Sequence, residues 1–190
     1  MDVKTAIEHR RAYRSLKKIE ITPNIIESLG KVASLAPSCF NCQPWRFVYV
    51  YDEEILEKVF TALSTGNQTW ATKASMIIVA FAKKEDDCAI QGDIFERNYY
   101  LFDVGQAVAY ITLQATELGL VAHPIAGYKP KLIREILSIP TSYNIINLII
   151  VGKKDENNDN LSEKQRKSEL DRPARLSLNK IVFHNRFTEY

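Results

Sequence analysis

The sequence is poor in the residues and patterns that mark several large protein classes. With 3 cysteines and 7 glycines in 190 residues, it is neither a disulfide-rich scaffold nor a collagen-like chain. Its 25 Lys and Arg residues nearly balance 23 Asp and Glu residues, and the formal charge of +2 gives no reason to expect nucleic acid as a partner. The longest apolar runs, residues 74–82 and 145–151, are far shorter than the roughly 20 residues of a membrane-spanning helix, so we expect no membrane association.

Targeting signals and the common nucleotide motifs are also missing. Residues 1–20 are charged throughout and lack the apolar centre of a secretory signal, so we expect a cytoplasmic protein whose cysteines are free thiols. The motifs G-x-G-x-x-G, G-x-x-x-x-G-K and G-x-S-x-G do not occur. These motifs are the usual signatures of dinucleotide binding, nucleoside-triphosphate binding and serine hydrolases, so the sequence does not point to any of these classes.

Helix and strand patterns interleave along the chain and predict one domain spanning residues 1–190. Apolar spacing predicts helices within residues 1–16, 22–36, 52–63, 94–118 and 130–137. Apolar, aromatic and β-branched runs predict strands at residues 46–51, 74–82, 121–128 and 147–152, with the third running into a turn. A turn is predicted at residues 64–66.

The second half of the chain changes character twice. The predicted helix 94–118 is apolar on more than one face and should be buried nearly all round. Residues 153–171 are charged with almost no apolar side chains, which indicates a solvated excursion. Residues 172–190 regain apolar and aromatic residues, so this C-terminal arm should pack on its own domain or on a partner chain.

Three arginines cluster near the N-terminus. Arg10, Arg11 and Arg14 should lie within one helical turn or at its end. Each guanidinium can make charge-assisted hydrogen bonds worth about 1.5 to 3 kcal/mol to an anion, and a phosphate is the natural ligand. The alternative interpretation is a solvated basic face.

The segment APSCFNCQPW, residues 36–45, places small and amide side chains between a predicted helix and a predicted strand. The side-chain amides of Asn41 and Gln43 could form hydrogen bonds with the edge of a heterocycle, or only with the backbone of their own loop. Cys39 and Cys42 form a C-x-x-C pair, as in a redox dithiol or half of a zinc site. Because the rest of the chain offers no second close pair of ligands, incidental cysteines are the favoured interpretation.

The segment VAHPIAGY contains a proline and a glycine, which allow a flat ligand to approach the backbone closely. His123 in this segment either touches substrate or has a structural role, and the structural role is the commoner one for an isolated histidine.

Five segments, in this order, resemble the FMN-dependent nitroreductase family: HRRAYRSL, APSCFNCQPWRFVYV, DVGQAVAYITLQATELGL, HPIAGY and LIIVGKK. The resemblance implies an α+β sandwich in which helices flank a mixed sheet. It also implies an obligate homodimer, with the long helix at the dimer interface and two FMN sites between the subunits. Electrons would arrive from NADH or NADPH and leave to nitroaromatic, quinone or similar small-molecule acceptors by a ping-pong route.

The resemblance also implies roles for single residues. Arg10 and Arg175 match arginines that bind the FMN phosphate, and Arg14 matches the basic residue near the pyrimidine end of the flavin. Four residues would reach the flavin of the other subunit: Pro37, Ser38, Cys39 and Asn41. The remaining positions that match cofactor contacts are Arg11, Ala12, Asn67, Pro124, Ile125, Ala126 and Gly127.

Two departures from the family pattern affect these expectations. Ala12 replaces the usual serine, so Arg10 and Arg175 must carry more of the phosphate binding. Ala126 stands where some members carry an acidic residue, so substrate preference does not transfer. The prediction is an FMN-dependent NAD(P)H oxidoreductase in which the flavin carries the chemistry and no side chain acts as acid or base. A flavin-binding protein for sensing or storage, and a thiol redox protein using Cys39 and Cys42, are the alternatives.

Overall fold

The chain folds around one sheet that carries helices on both faces. The computed structural model describes residues 1–88 and 97–189. In these ranges the helices are α1 (Val3–His9), α2 (Pro23–Ser34), α3 (Glu53–Thr61), α4 (Thr65–Ala71), α5 (Tyr99–Glu117), α6 (Pro130–Ile136) and α7 (Glu163–Leu170). The strands are β1 (Leu16–Lys17), β2 (Arg46–Val50), β3 (Met76–Ala82), β4 (Val121–Ile125) and β5 (Asn144–Lys154). The α+β class is confirmed.

Strand β5 organises the sheet because three other strands pair with it. β3 and β4 pair along its length, β1 pairs with its last two residues, and β2 pairs with β3. All of these pairs are antiparallel, so the part of the sheet that the structure describes is antiparallel rather than mixed. β5 has 11 residues and extends beyond the predicted strand 147–152, because its ends also find partners, Asn144 with β3 and Lys154 with β1.

The sheet separates two apolar cores. All positions of β3 are buried, as its continuous apolar run predicts. Ile77 and Val79 enter the core that α3, α4 and α6 cover, whereas Ile78 and Ala80 enter the core that α2 and α5 cover. Successive side chains of a strand point to opposite faces, so one strand contributes to both cores.

Local signals set the start of some helices but not of α4. Thr22 caps α2 by accepting a hydrogen bond from the Ile25 N–H at 3.4 Å, and Pro23 occupies the first helical position. α4 has no side-chain cap and contains weak helix formers, and only a turn is predicted there. Its Trp70 and Ala71 are fully buried, so packing against the core supports this helix.

Helix α5 is buried on one side only. It begins at Tyr99, and residues 94–96 of the predicted helix lie outside the described residues. Val104 and Ile111 are fully buried, but Phe102 is 63% exposed and Leu101 and Tyr110 are exposed as well. The expectation of a helix buried nearly all round is therefore wrong for the single chain, which leaves an apolar surface open to solvent.

The C-terminal part of the chain packs on the domain at a few points. Residues 153–171 are largely exposed, as predicted, but they include α7, which opens with a reciprocal capping box between Ser162 and Gln165. Leu161 anchors this region in the core. None of residues 171–189 is buried. Among the helices that the structure describes, none has the length and apolar content to cross a membrane.

Candidate functional site

The chain leaves α1 through an irregular stretch, residues 10–15, which we call the basic segment. Arg10 ends the helix, with ψ at 118° and its N–H on the Ala6 carbonyl oxygen at 3.0 Å. The sequence predicts that the three arginines lie within a helical turn or at its end, and the structure shows them at the end. The arginines after Arg10 therefore depend on contacts with distant parts of the chain for their position.

Helix α7 and the basic segment hold each other. The Glu169 carboxylate accepts hydrogen bonds from the N–H groups of Arg14 and Ser15 and from the Ser15 hydroxyl. In return, the Arg11 guanidinium donates to the carbonyl oxygens of Ser168 and Glu169 at 3.1 and 3.2 Å. A cation at the last carbonyl groups of a helix is also favoured by the helix dipole. The segment is therefore fixed by a residue more than 150 positions away in sequence.

His123 fixes the basic segment from the side of the sheet. It is buried on β4, its Nδ1 lies 3.1 Å from the Tyr13 carbonyl oxygen, and its ring stacks on Trp70 with 4.7 Å between centroids. Because a carbonyl only accepts, Nδ1 carries the proton in this contact. Burial lowers the pKa of His123 to about 4, and the charges of Arg14 and Arg10 act in the same direction. His123 is thus neutral near pH 7, in keeping with a structural role.

The basic segment and the chain after α7 enclose a cleft of about 300 Å³. Its lining contains five arginines and one glutamate. The lining residues are Arg10, Arg11, Ala12, Tyr13, Arg14, Ser168, Glu169, Arg172, Pro173, Ala174 and Arg175. The structure therefore brings Arg175 to the N-terminal arginines, as the resemblance requires, and adds Arg172, which the sequence does not single out.

The arginines of the cleft repel one another. Burial lowers the pKa of the Arg10 guanidinium, and the charges of Arg172, Arg175 and Arg11 lower it further. Arg172 also donates to the Glu8 carbonyl oxygen at 2.8 Å, which holds it beside α1. Like charges that are packed together in this way are stabilised by a bound anion, because the anion offsets their repulsion.

Asn67 and Gly127 meet at the end of β4. The Asn67 side-chain amide and the Ser64 N–H both donate to the Gly127 carbonyl oxygen, at 3.0 and 2.9 Å. A Cβ atom on Gly127 would lie 2.5 Å from the Ser64 hydroxyl oxygen and 2.8 Å from the Asn67 amide nitrogen, so any larger residue here would displace these two side chains. Next to it, Ile125 is buried in the core and Ala126 is exposed. Only the backbone and small side chains are left to line a ligand here.

Residues 37–43 form a loop between α2 and β2, fixed on α5. The Cys39 N–H donates to Asp103 Oδ2 at 3.0 Å, and the Gln106 amide donates to the Pro37 carbonyl oxygen at 3.3 Å. Asp103 is 1% exposed. The family resemblance assigns no role to this carboxylate, although an aspartate in so apolar a helix is a signal that could have marked it.

The cysteines are not all free, which corrects a sequence-based expectation. Cys39 is bonded to Cys88 with 5.8 Å between the Cα atoms, and Cys42 is free and exposed. Cys39 and Cys42 therefore do not form a dithiol pair in this structure, because Cys39 already has a partner 49 positions away. Within the described residues no cluster of His, Cys, Asp and Glu is arranged to hold a metal ion.

Comparison with known proteins agrees with this architecture. The model of the nitroreductase family matches residues 7–153. An oxygen-insensitive NADPH nitroreductase of Helicobacter pylori is 25% identical over 183 residues, covering 80% of this chain and 85% of that protein. An NADH dehydrogenase of Thermus thermophilus is 26% identical over 179 residues, covering 80% and 86%.

A solved structure described as an oxidoreductase containing FMN superposes with a TM-score of 0.84 at 26% identity, covering 100% of this chain and 95% of the other. An FMN-dependent nitroreductase of Clostridium difficile superposes with a TM-score of 0.73 at 27% identity, covering 96% and 98%. Sequence and fold thus agree over most of the chain, and the protein belongs to the nitroreductase family.

Proposed function

We propose that this protein is an FMN-dependent NAD(P)H oxidoreductase that passes electrons to nitroaromatic, quinone or similar small-molecule acceptors by a ping-pong route. The observation that carries the proposal is the arginine-lined cleft, in which Arg10, Arg172 and Arg175 surround one small volume. The names of relatives, an NADPH nitroreductase and an FMN-containing oxidoreductase among them, support the electron donor and the flavin.

The cleft suits the phosphate of FMN. A phosphate dianion offers several strong acceptor oxygens, and each guanidinium that binds it contributes about 1.5 to 3 kcal/mol. Arg11 donates to two carbonyl groups at the end of α7, whereas Arg172 donates to one, that of Glu8, so Arg10, Arg172 and Arg175 are the residues we assign to the phosphate. Ala12 brings no hydroxyl to this cleft, which agrees with a site that depends on charge.

The rest of the site would hold the flat ring. When bound, FMN supplies the two-electron chemistry between donor and acceptor. Arg14 would stabilise negative charge at the pyrimidine end of the ring, and its guanidinium lies 5.9 Å from the centre of the Trp70 ring. The backbone of residues 124–127, kept close to Asn67 by Gly127, would line one edge.

A homodimer would complete each site. We assign four residues of the loop 37–43 to the flavin of the partner subunit: Pro37, Ser38, Cys39 and Asn41. Support comes from the apolar surface that one chain leaves open, with Phe102 63% exposed on α5 and Leu178 73% exposed in the arm. Exposed apolar patches are typical of a partner interface. The cytoplasm, where NADH and NADPH are plentiful, is the compartment we propose.

The test is a flavin titration followed by reduction without oxygen. We expect the purified protein to bind FMN more tightly than riboflavin, because riboflavin has no phosphate for the arginine cleft. NADH or NADPH should then bleach the bound flavin, and a nitroaromatic or quinone should restore its colour. Failure to bind FMN would refute the proposal. Binding without reduction by either donor would favour a flavin protein for sensing or storage.

A further inference from the structure

Two of the three cysteines of the chain lie in the loop 37–43, and one of them is bonded to the third. Cys39 and Cys88 are bonded to each other, and Cys42, the free and exposed cysteine, lies three positions after Cys39. The bond joins the loop 37–43 to the segment 83–88, which follows β3. A free thiol close to a disulfide in sequence raises the question of whether it can replace one of the bonded sulfurs.

One turn of backbone separates the free thiol from the disulfide. The Cys42 N–H donates to the Cys39 carbonyl oxygen at 3.0 Å, and Phe40 and Asn41 between them have φ of 47° and 58°. A turn closed by this hydrogen bond brings its first and last Cα atoms within about 7 Å of each other. Disulfides span Cα distances of roughly 4.4 to 6.8 Å, which overlaps the range that such a turn allows between Cys39 and Cys42.

The surrounding contacts keep both segments in place whichever bond forms. Asp103 holds the Cys39 N–H, and the Ser38 hydroxyl accepts from the Gln43 N–H at 3.0 Å. On the other side, Asp86 pairs with Arg46 at 3.5 Å, and Arg46 donates to the Gln43 carbonyl oxygen at 3.0 Å. The sulfur atoms can therefore exchange partners without a rearrangement of the fold.

We propose that Cys39, Cys42 and Cys88 form a thiol–disulfide exchange site. The Cys42 thiolate attacks the Cys39 sulfur, the Cys39–Cys42 bond forms, and the Cys39–Cys88 bond breaks. Cys88 leaves as a thiolate and takes up the proton that Cys42 lost. One disulfide and one thiol are present before and after the step, so it needs no external oxidant or reductant.

The exchange changes what the disulfide restrains. The Cys39–Cys88 bond closes a loop over 49 positions of sequence, whereas a Cys39–Cys42 bond spans three. A cross-link over a long stretch of chain restricts the unfolded state more, so the first form should be the more stable fold. Exchange also removes the covalent link between the loop 37–43 and the segment 83–88, which then remain joined through the contacts of Arg46. Any consequence for flavin binding rests on the proposed function, but the exchange itself does not.

Peptide mapping of the full-length oxidised protein under non-reducing conditions tests the proposal. Trypsin places Cys39 and Cys42 on one peptide, residues 32–46, and Cys88 on another, residues 85–97. The Cys39–Cys88 form gives a cross-linked pair, whereas the Cys39–Cys42 form gives peptide 32–46 with an internal disulfide. The protein is incubated at about pH 8.5, where free thiols ionise, then acidified, blocked with a maleimide and digested.

We expect both forms in the wild-type protein, with the internal form growing over time. The Cys42→Ser variant should lose the internal form completely and keep the cross-linked pair. Wild-type protein that shows only the cross-linked pair at every time point, or three blocked thiols after oxidation, would overturn the proposal. This mapping does not depend on flavin, so a failure of FMN binding would leave its result standing.

Discussion

Two irregular segments of this protein occupy equivalent places in the chain. Residues 10–15 connect α1 to β1, and residues 37–43 connect α2 to β2. Each is held by a carboxylate from a distant helix, Glu169 of α7 for the first and Asp103 of α5 for the second. A carboxylate serves well because it only accepts, and irregular backbone leaves N–H groups without a partner.

The two segments differ in charge and in backbone strain, although N–H groups of both have hydrogen-bond partners. The basic segment keeps a surplus of positive charge, which lowers the pKa of Arg10. The loop 37–43 keeps conformational strain, because Phe40, Asn41 and Gln43 all have φ near 50°. Surplus charge suits the binding of an anion, whereas a strained and cross-linked loop suits the presentation of a fixed surface. The two segments thus have different tasks although they are held in the same way.

Among the changes that test this comparison, removal of the residues after Leu170 should have the largest effect on the protein. The deletion takes away Arg172 and Arg175, and with them the apolar arm that includes Phe187. We expect the protein to lose both FMN binding and dimerisation, because obligate interfaces bury roughly 2,000 Å² or more and the arm would contribute to that area. Sedimentation velocity measures the outcome. A truncated chain that sediments as a folded dimer would show that the arm is no part of the interface.

The two carboxylates should differ in their contribution to stability. Glu169→Ala removes the acceptor of three hydrogen bonds and leaves the N–H of buried Ser15 without a partner, so we expect a loss of about 2 to 3 kcal/mol in the free energy of unfolding. Asp103→Ala orphans the N–H of Cys39 and removes one acceptor of the Gln106 side-chain amide, which also donates to the Pro37 carbonyl oxygen, and it should cost about 1 to 2 kcal/mol. Urea unfolding gives both values, with the exposed Glu57→Ala as a control near zero. Equal losses would contradict this account.

Arg175→Ala should weaken FMN binding without disturbing the dimer. Loss of one guanidinium from the phosphate should cost about 1.5 to 3 kcal/mol, a rise of about ten- to a hundredfold in the dissociation constant. Riboflavin affinity should change little. Lys180→Ala, which removes an exposed cation from the same arm, is the matched control. An unchanged FMN affinity in the folded Arg175→Ala protein would remove this residue from the site.

His123 should make the anchoring of the basic segment sensitive to pH. The pKa of His123 falls to about 4 in the folded protein, below its ordinary value of 6.5. Between these two pH values the unfolded chain therefore binds a proton at His123 that the folded chain does not bind. The free energy of unfolding should therefore decrease as pH falls below 6.5 and level off below about 4. Between pH 7 and pH 5 we expect a loss of about 2 kcal/mol from this residue.

Denaturant unfolding at the two pH values measures this loss. The His123→Gln variant should show a smaller pH dependence than the wild type, whereas His184→Gln, which changes an exposed histidine of the arm, should behave like the wild type. If His123→Gln kept the full pH dependence, another group would be responsible for it.

Much of the fold could be predicted from local patterns. The Thr22–Pro23 pair marks the start of α2, and the uninterrupted apolar run marks β3 as a strand buried on both faces. Helix α4 could not be predicted in the same way, because its sequence favours a turn and the burial of Trp70 supports it as a helix. Local signals act within one turn of chain, whereas a weak helix needs a core to pack against.

The sequence by itself determined the family, the α+β class and the basic character of the segment that follows α1. Only the tertiary structure decided which residues meet: Glu169 with Ser15, Arg172 with Arg10, and Cys39 with Cys88. The partners in each pair are separated by dozens of residues or more, and no periodicity or short motif records such a distance. Hydrogen bonds, charge repulsion and sulfur bonding depend on atomic distances, which are set when the elements pack around the sheet.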